Sequence, residues 1–192
     1  MPAPKRRADV ERNERALLDA AAKVFATSGV DATVREVAAA AGVGMGTLYR
    51  HFPTRADLVV AVYRHQIDAC ADAGPALLAS ASSPFAALLA WIHLFVDFLG
   101  TKHGLAAVMQ GDQTGFSALH TLFLDRLVPV LSDLLTTARA AGEVSADISA
   151  YELIRAVGDL CAWAVPDENY DVRRIVTLLI TGLRQEQPQP MD

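Results

Sequence analysis

Thr33-Val-Arg-Glu-Val-Ala-Ala-Ala-Ala-Gly42-Val-Gly-Met-Gly-Thr47-Leu-Tyr-Arg-His-Phe52 is the stretch on which the fold turns. Thr33 and Glu36 stand in the Ser/Thr-x-x-Glu spacing of a capping box, which opens a helix at this point. Gly42 follows within a few residues and supplies the positive φ that a tight turn needs. A second short helix is expected over residues 47–52, stopped by Pro53, whose ring cannot continue a helix. Two helices crossing this closely need a small residue at the contact, and Ala38 supplies it. Val37, Ala41, Val43 and Leu48 are spaced to fix the packing angle. The second helix then offers Gly44, Met45, Gly46 and Thr47, small or polar groups, at its start. That is the pattern of a helix-turn-helix, whose second helix enters the major groove of DNA.

Outward from this unit almost every segment reads as helix. Apolar residues recur at three- and four-residue intervals, and no long alternating pattern appears. A first helix is expected from near Asp9, with Leu17, Ala21 and Phe25 on one face and Gly29 as its left-handed terminator. Thr54-Arg-Ala-Asp57 caps a longer helix over residues 55–73, ahead of Gly74-Pro75. Ser80 to Ser83 is a polar break, and Pro84 takes the favoured first turn of the next helix. That helix, residues 84–100, is apolar nearly all round and reads as buried. The glycine-containing stretch 100–115 holds at most a short helix. A long helix over 116–141 follows, kinked at Pro129 and ended by Gly142. Ser149-Ala-Tyr-Glu152 opens a helix to about residue 164, and Pro166-Asp167 separates it from a last helix over 171–184. The expected class is all-α. Residues 1–54 form a three-helix helix-turn-helix domain with a basic N-terminal arm, and residues 55–192 a helical bundle.

The composition narrows the function. The 192 residues are 52% hydrophobic and 20% charged, which suits compact domains with a substantial core. The net charge of −5 opposes nucleic-acid binding until the chain is divided. Residues 1–65 carry ten basic and seven acidic side chains, and the remainder seven basic and fifteen acidic. Nucleic acid is therefore drawn to the front of the sequence and repelled by the rest. The N-terminus lacks the apolar core of a secretory signal, and the densest apolar run carries His93 and Asp97 within it. Cys70 and Cys161, the only two cysteines, form no zinc or redox spacing, and a cytoplasmic location is expected. No Gly-x-Ser-x-Gly, His-Glu-x-x-His, P-loop or dinucleotide-binding pattern occurs, and the five histidines are scattered. No catalytic group, metal site, cofactor or membrane association is expected.

The segments Ala16-Leu-Leu-Asp-Ala-Ala-Ala-Lys-Val-Phe25, Thr33 to Val43 and Gly46-Thr-Leu-Tyr-Arg-His-Phe-Pro-Thr-Arg-Ala-Asp-Leu58 resemble the DNA-binding domain of the tetracycline-repressor (TetR) family. The Leu-Tyr-x-His-Phe segment followed by a basic residue is the most diagnostic part. The resemblance covers the first third of the chain. Thr101-Lys-His-Gly-Leu-Ala106 and the long helix after it resemble the SbtR-like branch less specifically. The family likeness implies a partner, a double-stranded operator, and a set of contacts. Tyr49 and His51 would donate to phosphates beside the major groove, and Arg55 would clamp the backbone where the family more often has lysine. Thr33 and Arg35 would reach phosphate from the other side. Gly44, Met45 and Thr47 would face base edges. Arg50 would reach a base or a phosphate. Lys5, Arg6 and Arg7 would form a flexible arm for the minor groove or backbone. Bland readings stand beside these: Phe52 and Tyr49 as plain core, Arg35 on a solvated face, the arm as a frayed terminus; for Tyr49 both roles combine if its ring is buried and its hydroxyl exposed.

A second domain binding a small apolar effector is inferred partly from that likeness and partly from aromatic content. Trp91, His93, Phe95, Phe98, Met109, Phe116, His120 and Phe123 are the candidate lining, against the alternative that they fill a core. His93 and Asp97, one helical turn apart, read as a self-satisfied buried pair or as the anchor for a ligand's polar end. Leu153, Val157, Leu160 and Ala164, with Val172, Ile175, Val176, Leu179 and Leu183, supply more apolar surface than one helix pair needs. A four-helix homodimer interface is therefore expected.

Overall fold

The computed structural model describes residues 4–29, 31–100, 113–162 and 170–184, of which 4–11, 113–116 and 162 are described by backbone alone. Among the described residues there are eight helices and no strand. They are α1 (Pro4–Ser28), α2 (Val34–Ala40), α3 (Met45–His51), α4 (Arg55–Ser80), α5 (Pro84–Gly100), α6 (Gln113–Ala140), α7 (Ala150–Ala162) and α8 (Val172–Thr181). The chain forms two compact units, Met1–Asp68 with Gly100–Leu122, and Ala69–Leu99 with Phe123–Asp192. The division falls inside α4 and α6, so both helices contribute to each unit.

In the first unit α1 packs on α2, and α2 on α3. Leu17, Leu18, Ala21 and Phe25 of α1 are buried together with Val37, Ala38, Leu48, Leu58, Val59 and Val62. Side chains of the Leu, Val and Phe size contribute about 1.5–3 kcal/mol each on full burial, which is what seats these short helices. Thr33 caps α2 as expected: its hydroxyl accepts from the Glu36 N–H, and Glu36 accepts from the Thr33 N–H at 2.6 Å. Gly42 adopts φ +66, and the Val43 N–H bonds the Ala38 carbonyl while the Gly42 N–H bonds that of Ala39. This is the glycine-closed helix end that the sequence implied. Two boundaries differ from expectation. α3 starts at Met45 with Gly44 as its extended N-cap, and α1 starts at Pro4, whose missing N–H has no helical partner in the first turn anyway. The backbone of Lys5, Arg6 and Arg7 is therefore helical, where a loose arm was expected.

In the second unit the expected stop at Ala73 is overridden. α4 passes through Gly74 and Pro75 to Ser80. A Cβ on Gly74 would lie 2.3 Å from Val130 Cγ1, so the Val130 side chain of α6 fills the space beside α4 there. The Trp91 indole donates to the Cys70 carbonyl at 2.8 Å, in the turn whose hydrogen-bond ladder Pro75 interrupts. Tertiary contacts thus hold the helix where local chemistry would break it. α5 begins at Pro84 as expected, its first turn capped by Ser83 and by Glu143, which accept from the N–H groups of Ala86 and Phe85. Gly142 closes α6 at φ +72, and Ser149 and Glu152 form the capping box of α7. α8 ends at Thr181 and not at 184, because the Leu183 carbonyl turns to accept the N–H groups of Ser145 and Ala146.

Candidate functional site

α3 has one buried side, occupied by Leu48, and presents Thr47, Tyr49, Arg50 and His51 outward. Phe52, its C-cap residue, is buried, in agreement with the core reading. Tyr49 is 46% exposed, which corrects the expectation of a buried ring. The reason is angular: Leu48 takes the inward position, and one residue further the helix has turned by about 100°. Arg50 and His51 occupy the last turn, where positive charge complements the helix dipole. Met45 is half-buried, Gly44 exposed, and Thr47 and His51 also edge a cleft of about 360 Å³ between α1 and α3, floored by Leu17 and Phe52.

Thr33 and Arg35 are both exposed on α2. The Thr33 hydroxyl, however, also donates to Glu36 at 2.9 Å, so its proton is already engaged within the capping box. The same two bonds to Thr33, the backbone N–H first, hold the Glu36 carboxyl below its ordinary value of 4.5. Arg55, at the start of α4, is half-buried and reaches Asp31 at 3.8 Å. Asp31 is a residue the sequence reading did not single out, and nothing local marks it. Lys5, Arg6 and Arg7 are described by backbone only.

In the second unit Trp91, Phe95, Phe98 and Phe123 are buried against one another, with ring centroids 5.8–6.3 Å apart along the series. His93 and Asp97 do not pair with each other, as the self-satisfied reading required. Both turn to α8: His93 Nε2 lies 2.9 Å from the Thr177 hydroxyl, and Asp97 accepts from Arg173. Asp97 is exposed, so desolvation never forced the two together. Partial burial first, then the Arg173 charge, lowers the His93 pKa, and Asp97 opposes the shift. His120 is exposed on α6. Met109 lies outside the described residues, and Phe116 is described by backbone only.

The apolar residues of α7 and α8 separate into two sets. Leu153, Val157, Val176 and Leu183 are buried within the protomer. Leu160, Val172 and Leu179 are half-buried, while Ile175 and Leu178 are 38% and 60% exposed. Leu178 was missed, although its three-residue spacing from Ile175 marks the same face. Ala164 lies outside the described residues. Among the described residues no helix is long and apolar enough to cross a membrane.

The domain description "Bacterial regulatory proteins, tetR family" matches residues 17–62. "Transcriptional regulator SbtR-like, C-terminal domain" matches residues 83–185, more than half of the chain. The TetR transcriptional regulator SCO0520 of Streptomyces coelicolor has a similar structure, with a TM-score of 0.74 and 35% identity, covering 89% of this chain and 98% of that one. The HTH-type transcriptional repressor LfrR of Mycolicibacterium smegmatis is 48% identical over 58 residues, 30% of this chain and 30% of that protein. The HTH-type transcriptional repressor KstR2 of Rhodococcus jostii is 33% identical over 97 residues, 50% of this chain and 48% of that protein. These two curated relatives are thus matched over half of their length or less. The glycine-closed turn, the outward-facing α3 and the matches on both sides of α4 converge on one conclusion: the chain belongs to the TetR family of bacterial transcriptional regulators.

Proposed function

We propose that the chain is a sequence-specific DNA-binding regulator that acts as a homodimer and answers to a small apolar effector. In its simplest form it is a repressor that leaves a near-palindromic operator when the effector binds. The observation that carries the reading is α3, a short helix with Leu48 buried and Thr47, Tyr49, Arg50 and His51 turned outward beside a glycine-closed turn. Tyr49, His51 and Arg55 serve as phosphate contacts, with Thr33, Arg35 and the basic first turn of α1 around them. Gly44, Met45 and Thr47 face base edges, and Arg50 a base or a phosphate. The excess of basic residues in this part of the chain favours the duplex, and two of the similar curated proteins, LfrR and KstR2, are named repressors. Two protomers joined through α7 and α8 would place their recognition helices on half-sites about 34–36 Å apart, or a multiple of that.

The effector site belongs to the second unit, around the aromatic cluster of α5 and α6. The rings of Trp91, Phe95, Phe98 and Phe123 already contact one another, so an apolar ligand lodges among them only by parting them. The ring-packed and ligand-bound forms are then alternative states, and α4 and α6, each shared by both units, are covalent links between the units. A coupling of ~1–3 kcal/mol would change operator affinity roughly 5- to 150-fold. A ligand binding both forms equally would change nothing. Selection from a random duplex pool with purified protein, with and without extract of the source cells, tests both halves of the proposal. A near-palindrome lost in the presence of extract is the expected result. Recovery of no motif at low salt would overturn the regulator reading, and a motif indifferent to extract would remove the support for a soluble effector.

A further inference from the structure

Three carboxylates lie among the groups assigned to the DNA backbone. Glu36 and Asp57 are engaged in helix caps, accepting from the N–H and hydroxyl of Thr33 and of Thr54 at 2.6–2.9 Å. Asp31 is different. It stands 95% exposed in the turn that joins α1 to α2, where the Ala32 N–H bonds the Gly29 carbonyl. Its Oδ1 faces the Arg55 guanidinium at 3.8 Å, and Thr33 follows two residues later. A carboxylate and a phosphate are both anionic acceptors for a guanidinium, so the two compete for Arg55.

We propose that Asp31 is a positioning residue that holds Arg55 while the protein is off DNA and yields it to a phosphate on the duplex. The inference rests on the DNA-binding function proposed above and adds an intramolecular competitor to it. An exposed ion pair is weak, so the carboxylate orients Arg55 and trims affinity without abolishing binding. Its influence is greatest at low ionic strength, where exposed charges are least screened.

The test is a double-mutant cycle on the full chain, read by fluorescence anisotropy with a labelled random-sequence duplex between about 50 and 200 mM salt. Arg55→Ala is expected to weaken binding and to lower the slope of log affinity against log salt by about 0.9, the share of one phosphate. Asp31→Asn is expected to strengthen binding by roughly 1.5- to 5-fold at low salt, the range of an exposed pair, with the gain shrinking as salt rises. Asp31→Glu should behave as the parent. The decisive comparison is Asp31→Asn in the Arg55→Ala background, where the gain should disappear. An equal gain in both backgrounds would make Asp31 a general repulsive charge and overturn the proposal, as would no gain in the parent. Absence of salt-sensitive binding by the parent protein is a separate result, and it would overturn the DNA-binding function itself.

Discussion

At the scale of single residues, α2 and α3 separate groups that hold the fold from groups that meet solvent. Tyr49 belongs to the second kind, since the residue is 46% exposed. Tyr49→Phe should therefore leave the denaturation midpoint unchanged while weakening duplex binding roughly tenfold, the worth of one hydrogen bond to a charged group. The salt slope should stay constant because no charge is removed. A shifted midpoint with unchanged binding would make Tyr49 a structural residue. Thr33 is exposed yet also holds the fold: Thr33→Ala should cost about 1 kcal/mol of stability in urea unfolding, the usual value of an N-cap, and Thr33→Ser should restore it. The carboxyl partners carry a pH signature. Glu36 and Glu152 are held below 4.5 by bonds from Thr33 and Ser149. Their folded values being the lower ones, their contribution is complete above the unfolded value and is lost as pH falls through the folded ones. Glu36→Gln with Glu152→Gln keeps the acceptors but removes the titration, so this variant should lose less stability on acidification than the parent. An equal loss would assign the acid limb to other carboxylates.

At the scale of elements, local signals were legible in the sequence and long-range ones were not. The boxes at Thr33, Thr54 and Ser149 and the helix ends at Gly29, Gly42 and Gly142 could be read in advance, because each is decided by residues within one or two turns. Gly74-Pro75 was misread for the opposite reason. Its local chemistry says stop, but Val130, fifty-six residues on, fills the space beside Gly74, and Trp91 bonds the Cys70 carbonyl. The His93–Asp97 pairing failed likewise, since Thr177 and Arg173 come from a helix the spacing could not reveal. Gly74→Ala decides the matter quantitatively. Helix propensity alone would favour alanine by about 1 kcal/mol. A Cβ at 2.3 Å from a β-branched side chain, which strongly prefers one χ1 rotamer in a helix, implies overpacking of about 1–3 kcal/mol, so net destabilisation is expected. Adding Val130→Ala should cost less in the Gly74→Ala chain than in the parent. A stabilised Gly74→Ala protein would refute the close contact of Val130 with Gly74.

At the scale of the whole molecule, the question is which apolar surface would join two protomers in the proposed homodimer. Leu153, Val157, Val176 and Leu183 are buried in the protomer itself, so replacing them tests the fold and not the assembly. Ile175 and Leu178 remain exposed, and with Val172 and Leu179 they form one side of α8 that the protomer covers only in part. The sequence could give the apolar excess of the last two helices but not this partition, because hydropathy does not say which of two apolar faces a chain turns inward. Leu178→Asp puts a charge on the most exposed of these residues, where it costs the free protomer little but would be desolvated and unpaired in a dimer. The expected outcome is a monomer by analytical ultracentrifugation, with helix content and unfolding cooperativity retained. Each recognition helix would remain intact, so binding to a single half-site should be unchanged. Binding to the full operator should fall by roughly 10²-fold or more, because the second contact is no longer intramolecular. A variant that stays dimeric would move the interface away from α8. One that becomes monomeric yet keeps full operator affinity would show that the two half-sites are not read together.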